Sequence, residues 1–223
     1  MKTVLLVAPH MDDEVLGSGG TLCRHALSGD RVHVCIVAHR VYDRQFDSAA
    51  NERERQAAYA AQNILGYGDL RFLGLPDERL DGFVQEILKP LEQAYREIAP
   101  DVVYTSFVGD NNQDHRAVFD AVRVIIRPCA QAKAVRLLAY ETPSATEQSP
   151  PLSGAAFQPN FFVDISTTID AKLHALTCYE QESRPFPHPR SPQAIRVLAQ
   201  QRGVQSGQFS DAEAFMILRD FWA

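Results

Sequence analysis

Val4-Leu5-Leu6-Val7-Ala8 is an unbroken apolar run that passes without a spacer into Pro9-His10-Met11-Asp12-Asp13-Glu14. A short apolar run with no alternation reads as a strand covered on both faces, the pattern of a parallel sheet flanked by helices. From Glu14 to Leu27, Val15, Leu16, Leu22, Ala26 and Leu27 recur at helical spacing, and Ser28-Gly29-Asp30 stops the helix. The pattern then repeats. Val32–Val37, Leu70–Gly74, Asp101–Thr105 and Leu137–Tyr140 read as strands. Between them, Asn51–Leu65, Phe83–Ile98 and Ala117–Ile126 read as helices. This alternation predicts an α/β, Rossmann-like fold: a mostly parallel sheet sandwiched by helices.

The chain of 223 residues suits one domain. Residues 1–142 form the expected α/β core, and residues 143–223 are a lid loop and a C-terminal segment that complete the site. Residues 143–160 are rich in Pro and Ser, and a loop of that length is usually a lid or a binding loop. Phe161–Asp164 restarts order, and a helix is expected from Thr168 to about Gln181. Residues 183–192 carry four prolines around His188 and Arg190, so that stretch is extended. A last helix is expected over Gln193–Arg202. The loop and the proline-rich segment are both expected to border the pocket.

Composition removes several classes. A net charge of −6 leaves no basic excess for a general nucleic-acid binder. Cys23, Cys35, Cys129 and Cys178 stand far apart with no C-x-x-C, as small buried hydrophobes in a reducing compartment would. The Val4–Ala8 run is too short for a signal peptide, and no run approaches the roughly 18 apolar residues of a membrane span. A soluble, cytoplasmic protein is expected, with Phe221 and Trp222 packing at a subunit contact of a homo-oligomer.

Ligands of a parallel sheet bind beyond the carboxyl ends of its strands. His10, Asp12, Asp13 and Glu14 follow the first strand, and Asn112, Asp114 and His115 follow the fourth. The acidic run by itself is equally suited to capping a helix N-terminus. Together with His10 and His115 it suits a divalent cation. Two imidazoles and one carboxylate leave coordination positions open for water and substrate, and a nearby carboxylate outside the ligand set can take a proton from that water. Zinc fits such a set, and Fe(II) or another divalent metal is compatible with it. Gly17-Ser18-Gly19-Gly20 has no Walker lysine after it and falls inside the predicted helix, which points to close helix–sheet packing.

Ala8-Pro9-His10-Met11-Asp12-Asp13-Glu14, with Gly17, Gly19 and Gly20 following, resembles the P-H-x-D-D-E signature of the PIG-L/LmbE-like N-deacetylase family. Asn112-Gln113-Asp114-His115 resembles that family's second motif, H-x-D-H. The likeness extends through Phe72–Asp77, Tyr140–Ser144 and Pro187–Ser191, and so covers nearly the whole chain. It implies His10, Asp13 and His115 as zinc ligands, Asp12 as general base, and hydrolysis of an acetamide on an N-acetylated amino sugar, sugar nucleotide or sugar conjugate. One departure stands out. The first His of the second motif is Asn112 here, which donates a hydrogen bond but cannot shuttle a proton. His188 is therefore the expected second acid or oxyanion donor. Asp114 reads as an acceptor orienting a ligand histidine. Arg53, Arg55, Asp77, Glu141 and Arg190 are candidate substrate contacts, and Arg184 adds positive charge nearby. The competing readings are a two-metal phosphoesterase on the same scaffold, which needs more bridging carboxylates, and a binding module that keeps only the fold.

Overall fold

The computed structural model describes residues 1–41, 47–130, 133–150 and 156–221. The elements run β1 (Thr3–Ala8), α1 (Asp13–Leu27), β2 (Arg31–His39), α2 (Ser48–Leu65), β3 (Asp69–Pro76), α3 (Val84–Ile98), β4 (Val102–Ser106), α4 (Gln113–Ile125), β5 (Arg136–Tyr140), β6 (Phe161–Asp164), α5 (Ile169–Thr177), α6 (Pro192–Ser206) and β7 (Ala212–Arg219). They build one seven-stranded sheet in the order β3-β2-β1-β4-β5-β7-β6. The first five strands pair in parallel, and β7 pairs antiparallel with both β5 and β6. The expected fold class holds. Strand β7 has no counterpart in the sequence reading, α5 stops at Thr177 short of the expected Gln181, and α4 begins at Gln113 where Ala117 was expected.

The central strands explain the apolar run. Val4, Leu6 and Ala8 face one core layer, with Val15, Leu16 and Leu22 of α1, Ala58 and Leu65 of α2 and Leu176 of α5. Leu5 and Val7 face the other, with Ile87 and Leu91 of α3 and Val118 and Val122 of α4. Because successive side chains of a strand point to opposite faces, both faces of β1 must be apolar. From β1 the chain steps outward one way to β2 and β3, then returns past β1 to place β4 on its other side. The carboxyl ends of β1 and β4 therefore flank a switch point, where an open α/β sheet leaves a crevice.

Two glycines of α1 let the helix lie close to its neighbours. A Cβ at Gly17 would stand 2.3 Å from Cδ2 of Tyr140, and one at Gly20 would stand 2.7 Å from Cγ2 of Ile165. Ser18, between them, leaves the helical conformation (φ −148°, ψ 15°). Its break frees backbone groups inside the protein, and a buried ion pair takes them. Glu213 of β7 accepts from Gly20 N–H (3.0 Å) and Thr21 N–H (2.7 Å), while Lys172 Nζ of α5 donates to Leu16 O (2.9 Å) and to Glu213 Oε1 (2.6 Å). The C-terminal third of the chain is thus stitched to α1. Of the cysteines, Cys23 and Cys35 are buried as expected, Cys178 is partly so, and Cys129 is exposed. Phe221 is exposed, and Trp222 lies outside the described residues. Among the described residues no helix is long and apolar enough to cross a membrane.

Candidate metal centre and active site

The turn from β1 into α1 and the first turn of α4 meet at the switch point. Asp13 Oδ2 lies 3.1 Å from His10 Nδ1 and 3.2 Å from His115 Nε2. One ligand atom from each of His10, Asp13 and His115 lies within 4.8 Å of the others. Each imidazole turns its second nitrogen to another carboxylate: His10 Nε2 is 3.1 Å from Asp114 Oδ2, and His115 Nδ1 is 3.1 Å from Asp110 Oδ2. Those carboxylates are fixed in turn. Asp114 accepts from the N–H groups of Glu78 (2.7 Å) and Leu80 (3.0 Å), and Asp110 accepts from Asn112 N–H (3.0 Å) and Thr146 Oγ (2.9 Å).

This donor set fits a divalent cation. Metal-ligating histidines ordinarily give one nitrogen to the ion and the other to a carboxylate or carbonyl; here His10 Nε2 is hydrogen-bonded to Asp114, and His115 Nδ1 stands 3.1 Å from Asp110 Oδ2 without hydrogen-bond geometry. Asp13 Oδ1 is buried with no hydrogen-bond partner among the described residues. A buried carboxylate oxygen left unpaired is costly, and a cation bound there removes that cost. The protonation pattern agrees. Burial works against the charged imidazoles, yet the hydrogen bond His10 makes to Asp114 and the proximity of Asp13 raise His10 to about 9. Asp13 and Asp110 likewise raise His115 to about 10 against its burial. The Asp13 carboxyl is held well below its ordinary value, against its burial, by His115 and His10. Without a cation, the positive charge this carboxylate needs is supplied by protons.

Asp12 points elsewhere. It stands at the N-cap of α1 in a left-handed conformation (φ 119°, ψ −29°), and its side chain makes no capping bond. Its Oδ2 accepts from Arg190 Nη1 at 2.9 Å. Burial pushes its carboxyl up to about 8, opposed by the Arg190 guanidinium and reinforced by Asp13. A base with a pKa near neutrality suits proton transfer to and from a reacting group. Arg190 is held by Ser144 Oγ (2.6 Å) and Glu182 Oε2 (2.7 Å), and Glu182 Oε1 also binds Arg40 Nη2 (2.7 Å).

His10, Asp12, Asp77, Asn112, Asp114 and Arg190 line one polar pocket of about 420 Å³, with Arg40, Glu182, Ser144 and Ala145 among the other residues of its wall. Asp77 accepts from Val41 N–H (2.8 Å), and burial raises its carboxyl. Asn112 spends its Oδ1 on Asp114 N–H (2.8 Å) as the N-cap of α4, which leaves the amide NH2 for the pocket. Of the expected residues, Asp13 and His115 are buried outside this lining, and His188, Arg55, Glu141 and Arg53 are not part of it either. His188 is exposed, its Nδ1 accepting from Arg190 N–H (3.1 Å), so Arg190, two residues on, is the side chain that enters. Arg55 stacks on Phe72, 4.8 Å from the ring centroid. Glu141 is clamped in a two-bond pair by Arg202 (2.8 and 2.6 Å). Arg53 borders a separate, mainly apolar cleft between α2 and residues 178–182. Sequence reasoning missed Arg40, Asp110, Ser144 and Glu182. Arg40 directly follows β2, so the rule that sites gather at strand ends could have found it; Glu182 carries no local signal.

Among the described residues only this one group has three such ligands converging, so the two-metal phosphoesterase reading finds no support. The comparisons agree with the site. The model of the PIG-L family, described as GlcNAc-PI de-N-acetylase, matches residues 5–126, more than half of the chain. The uncharacterized deacetylase YaiS of Escherichia coli (strain K12) is 31% identical over 148 residues, 64% of this chain and 75% of that protein. The diacetylchitobiose deacetylase of Thermococcus kodakarensis is 24% identical over 82% of this chain and 70% of its own length. Among solved structures, GalB, the 4-carboxy-2-hydroxymuconate hydratase of Pseudomonas putida KT2440, superposes with a TM-score of 0.77 at 25% identity, covering 100% of this chain and 98% of its own. A strand-end His-Asp-His cluster beside a buried aspartate, on a fold and sequence of this kind, places the chain in the PIG-L family of N-deacetylases.

Proposed function

We propose that the chain removes the acetyl group from the nitrogen of an N-acetylated amino sugar, sugar nucleotide or sugar conjugate, using a divalent metal, zinc in the first instance. The observation that carries this reading is the division of labour between neighbours: Asp13 faces His10 and His115, while Asp12 faces Arg190 and the pocket. His10, Asp13 and His115 would hold the metal, whose chemistry at this position is to polarise the amide carbonyl and make water acidic. Asp12 takes the proton from the attacking water. The same carboxyl then returns it to the leaving nitrogen, since an amine departs readily only when protonated. The amide NH2 of Asn112 is the side-chain donor available to the oxyanion, since Arg190 Nη1 already donates to Asp12 Oδ2 and Glu182 Oε2. Asp114 and Asp110 hold the two imidazoles in the orientation that aims one nitrogen of each at the centre. Arg40 and Asp77 stand on the pocket wall as substrate contacts.

A hydration reading has one observation in its favour: two guanidinium groups, Arg40 and Arg190, converge on the Glu182 carboxylate inside the pocket, as they would on a substrate carboxylate. The two readings separate in a single experiment. Zinc-loaded protein is incubated with a panel of N-acetylated amino sugars and sugar nucleotides, with released acetate measured, and in parallel with unsaturated carboxylic acids, with loss of the conjugated chromophore measured. Acetate from at least one amide supports deacetylation. No acetate from any, with loss of the chromophore, would establish hydration instead.

A further inference from the structure

Glu14 closes the P-H-x-D-D-E motif, yet no step above uses it. It is completely buried, at 0% exposure. Its Oε2 accepts from Asp12 N–H (3.0 Å), and its Oε1 accepts from the phenol of Tyr179, itself buried. We infer that Glu14, held by Tyr179, is a positioning residue for Asp12: it fixes the left-handed turn that separates the base from the metal ligands, and couples that turn to the segment that delivers Arg190.

The need for such a device follows from the local geometry. An aspartate at a helix N-cap normally turns its carboxylate back onto the N–H groups of the first turn. Asp12 occupies that position and does not, so its carboxylate remains free for the pocket. It manages this at φ 119°, a region that L side chains enter only when their surroundings over-determine it. The constraint is visible on both sides of the turn. His10 N–H is tied to Asp13 Oδ2 (3.0 Å), and Asp12 N–H is tied to Glu14 Oε2. Glu14 therefore does more than favour the helix dipole, because it reaches back to the one residue whose conformation sets where the base points.

A second set of contacts points the same way. Tyr179 O accepts from the N–H groups of Glu182 (3.0 Å) and Ser183 (3.1 Å), which starts the turn leading away from α5. Glu182 then holds Arg190, and Arg190 holds Asp12 Oδ2. Asp12 is thus gripped at its N–H through Glu14 and Tyr179, and at its carboxylate through Arg190, by the same stretch of chain.

The inference rests on Asp12 being the base of the proposed reaction, and its test has a readout that does not. Glu14→Ala, Glu14→Gln and Tyr179→Phe are loaded with zinc, assayed for acetate release and crystallised. Glu14→Ala is expected to lower kcat roughly 100-fold, the scale of an ångström-sized misplacement of a reacting group, with KM and bound zinc little changed. Glu14→Gln keeps an acceptor for Asp12 N–H and restores most of the rate. Tyr179→Phe shows an intermediate loss, and carries the test by itself where Glu14→Ala does not fold. In the crystals Asp12 leaves the left-handed region in Glu14→Ala and parts from Arg190. An Asp12 that keeps its conformation, or a wild-type kcat, in folded Glu14→Ala or, where that does not fold, in Tyr179→Phe, or Glu14→Gln as impaired as Glu14→Ala, would each overturn the inference. If the wild type releases no acetate from any amide, the deacetylase reading falls, and the Asp12 conformation still decides this one.

Discussion

Helix α1 meets buried charge at two places. At its first turn Asp13 faces His10 and His115. Further along, where Ser18 breaks the helix, Lys172 and Glu213 occupy the gap. In the second place every charged atom is used. Glu213 Oε1 accepts from Gly20 N–H and Lys172, Oε2 accepts from Thr21 N–H, and Lys172 also reaches Leu16 O. In the first place both imidazoles are backed by carboxylates, Asp13 Oδ2 is shared, and Asp13 Oδ1 has no partner among the described residues. The difference teaches what each is for. A buried ion pair that satisfies the backbone around it is a tie between elements. A buried cluster whose central carboxylate keeps one oxygen without a partner, and whose positive charge comes only from protons on two imidazoles, has the arrangement of a cation site.

The two centres should therefore fail in different ways. The largest effect is expected at Asp12. Asp12→Asn should lower kcat by about two to four orders of magnitude, the scale of general acid–base catalysis, while the protein still folds cooperatively; acetate release and calorimetry check this. Near-normal turnover would remove Asp12 from the reaction.

At the other centre the loss should appear in stability. Lys172→Met leaves Glu213 buried and unpaired, which typically costs about 3–5 kcal/mol, read by chemical denaturation. Turnover per folded molecule should be unchanged. Replacing both as Lys172→Met with Glu213→Leu recovers part of that loss, but Gly20 N–H, Thr21 N–H and Leu16 O remain unsatisfied, at about 1–3 kcal/mol for each buried group left unpaired. A double variant as stable as the wild type would show that the pair does not serve the broken helix.

The pH dependence of the metal-free protein separates the centres again. His10 is raised to about 9 and His115 to about 10 in the folded state, above the ordinary histidine value, so the folded state holds these protons more tightly. Their contribution to stability is complete below about pH 6.5 and is lost as pH rises through 9 to 10. Asp12, raised to about 8, acts in the same direction, weakening the fold as pH climbs from its ordinary value towards 8. Metal and protons compete for the same nitrogens, so added zinc should raise the melting temperature most in the alkaline range. A metal-free protein that grows more stable between pH 7 and 10 would contradict these assignments.

The smallest effects belong to candidates outside the pocket. Arg53→Ala, at an exposed helix position, should change stability by no more than about 0.5 kcal/mol and leave kcat unaltered.

The sequence revealed most where chemistry follows a strand directly. The apolar run of β1 and the polar residues after it are contiguous, so His10, Asp12 and Asp13 could be placed at a strand end without knowing the sheet order. His115 could be placed similarly after β4. Strand β7 was hidden because Ala-Glu-Ala-Phe-Met-Ile-Leu-Arg shows no strict alternation, and only pairing with β5 and β6 makes it a strand. The second ring of the site was hidden for a related reason. Asp110, Ser144 and Glu182 come together through the paths of three loops, and a path of that kind leaves no periodic trace. His188 looked favourable because proline stiffens its segment, but stiffness does not fix direction: the backbone turns His188 outward and Arg190 in.

The central claim is that Asp13 belongs to a metal centre with His10 and His115, while Asp12, its neighbour in sequence, stands outside it. Zinc bound per chain, measured by elemental analysis after dialysis of the wild type, Asp12→Asn and His115→Ala, tests this most directly. One zinc in the wild type and in Asp12→Asn, and none in a folded His115→Ala, is the expected result. Zinc lost from Asp12→Asn, or retained in full by His115→Ala, would contradict it.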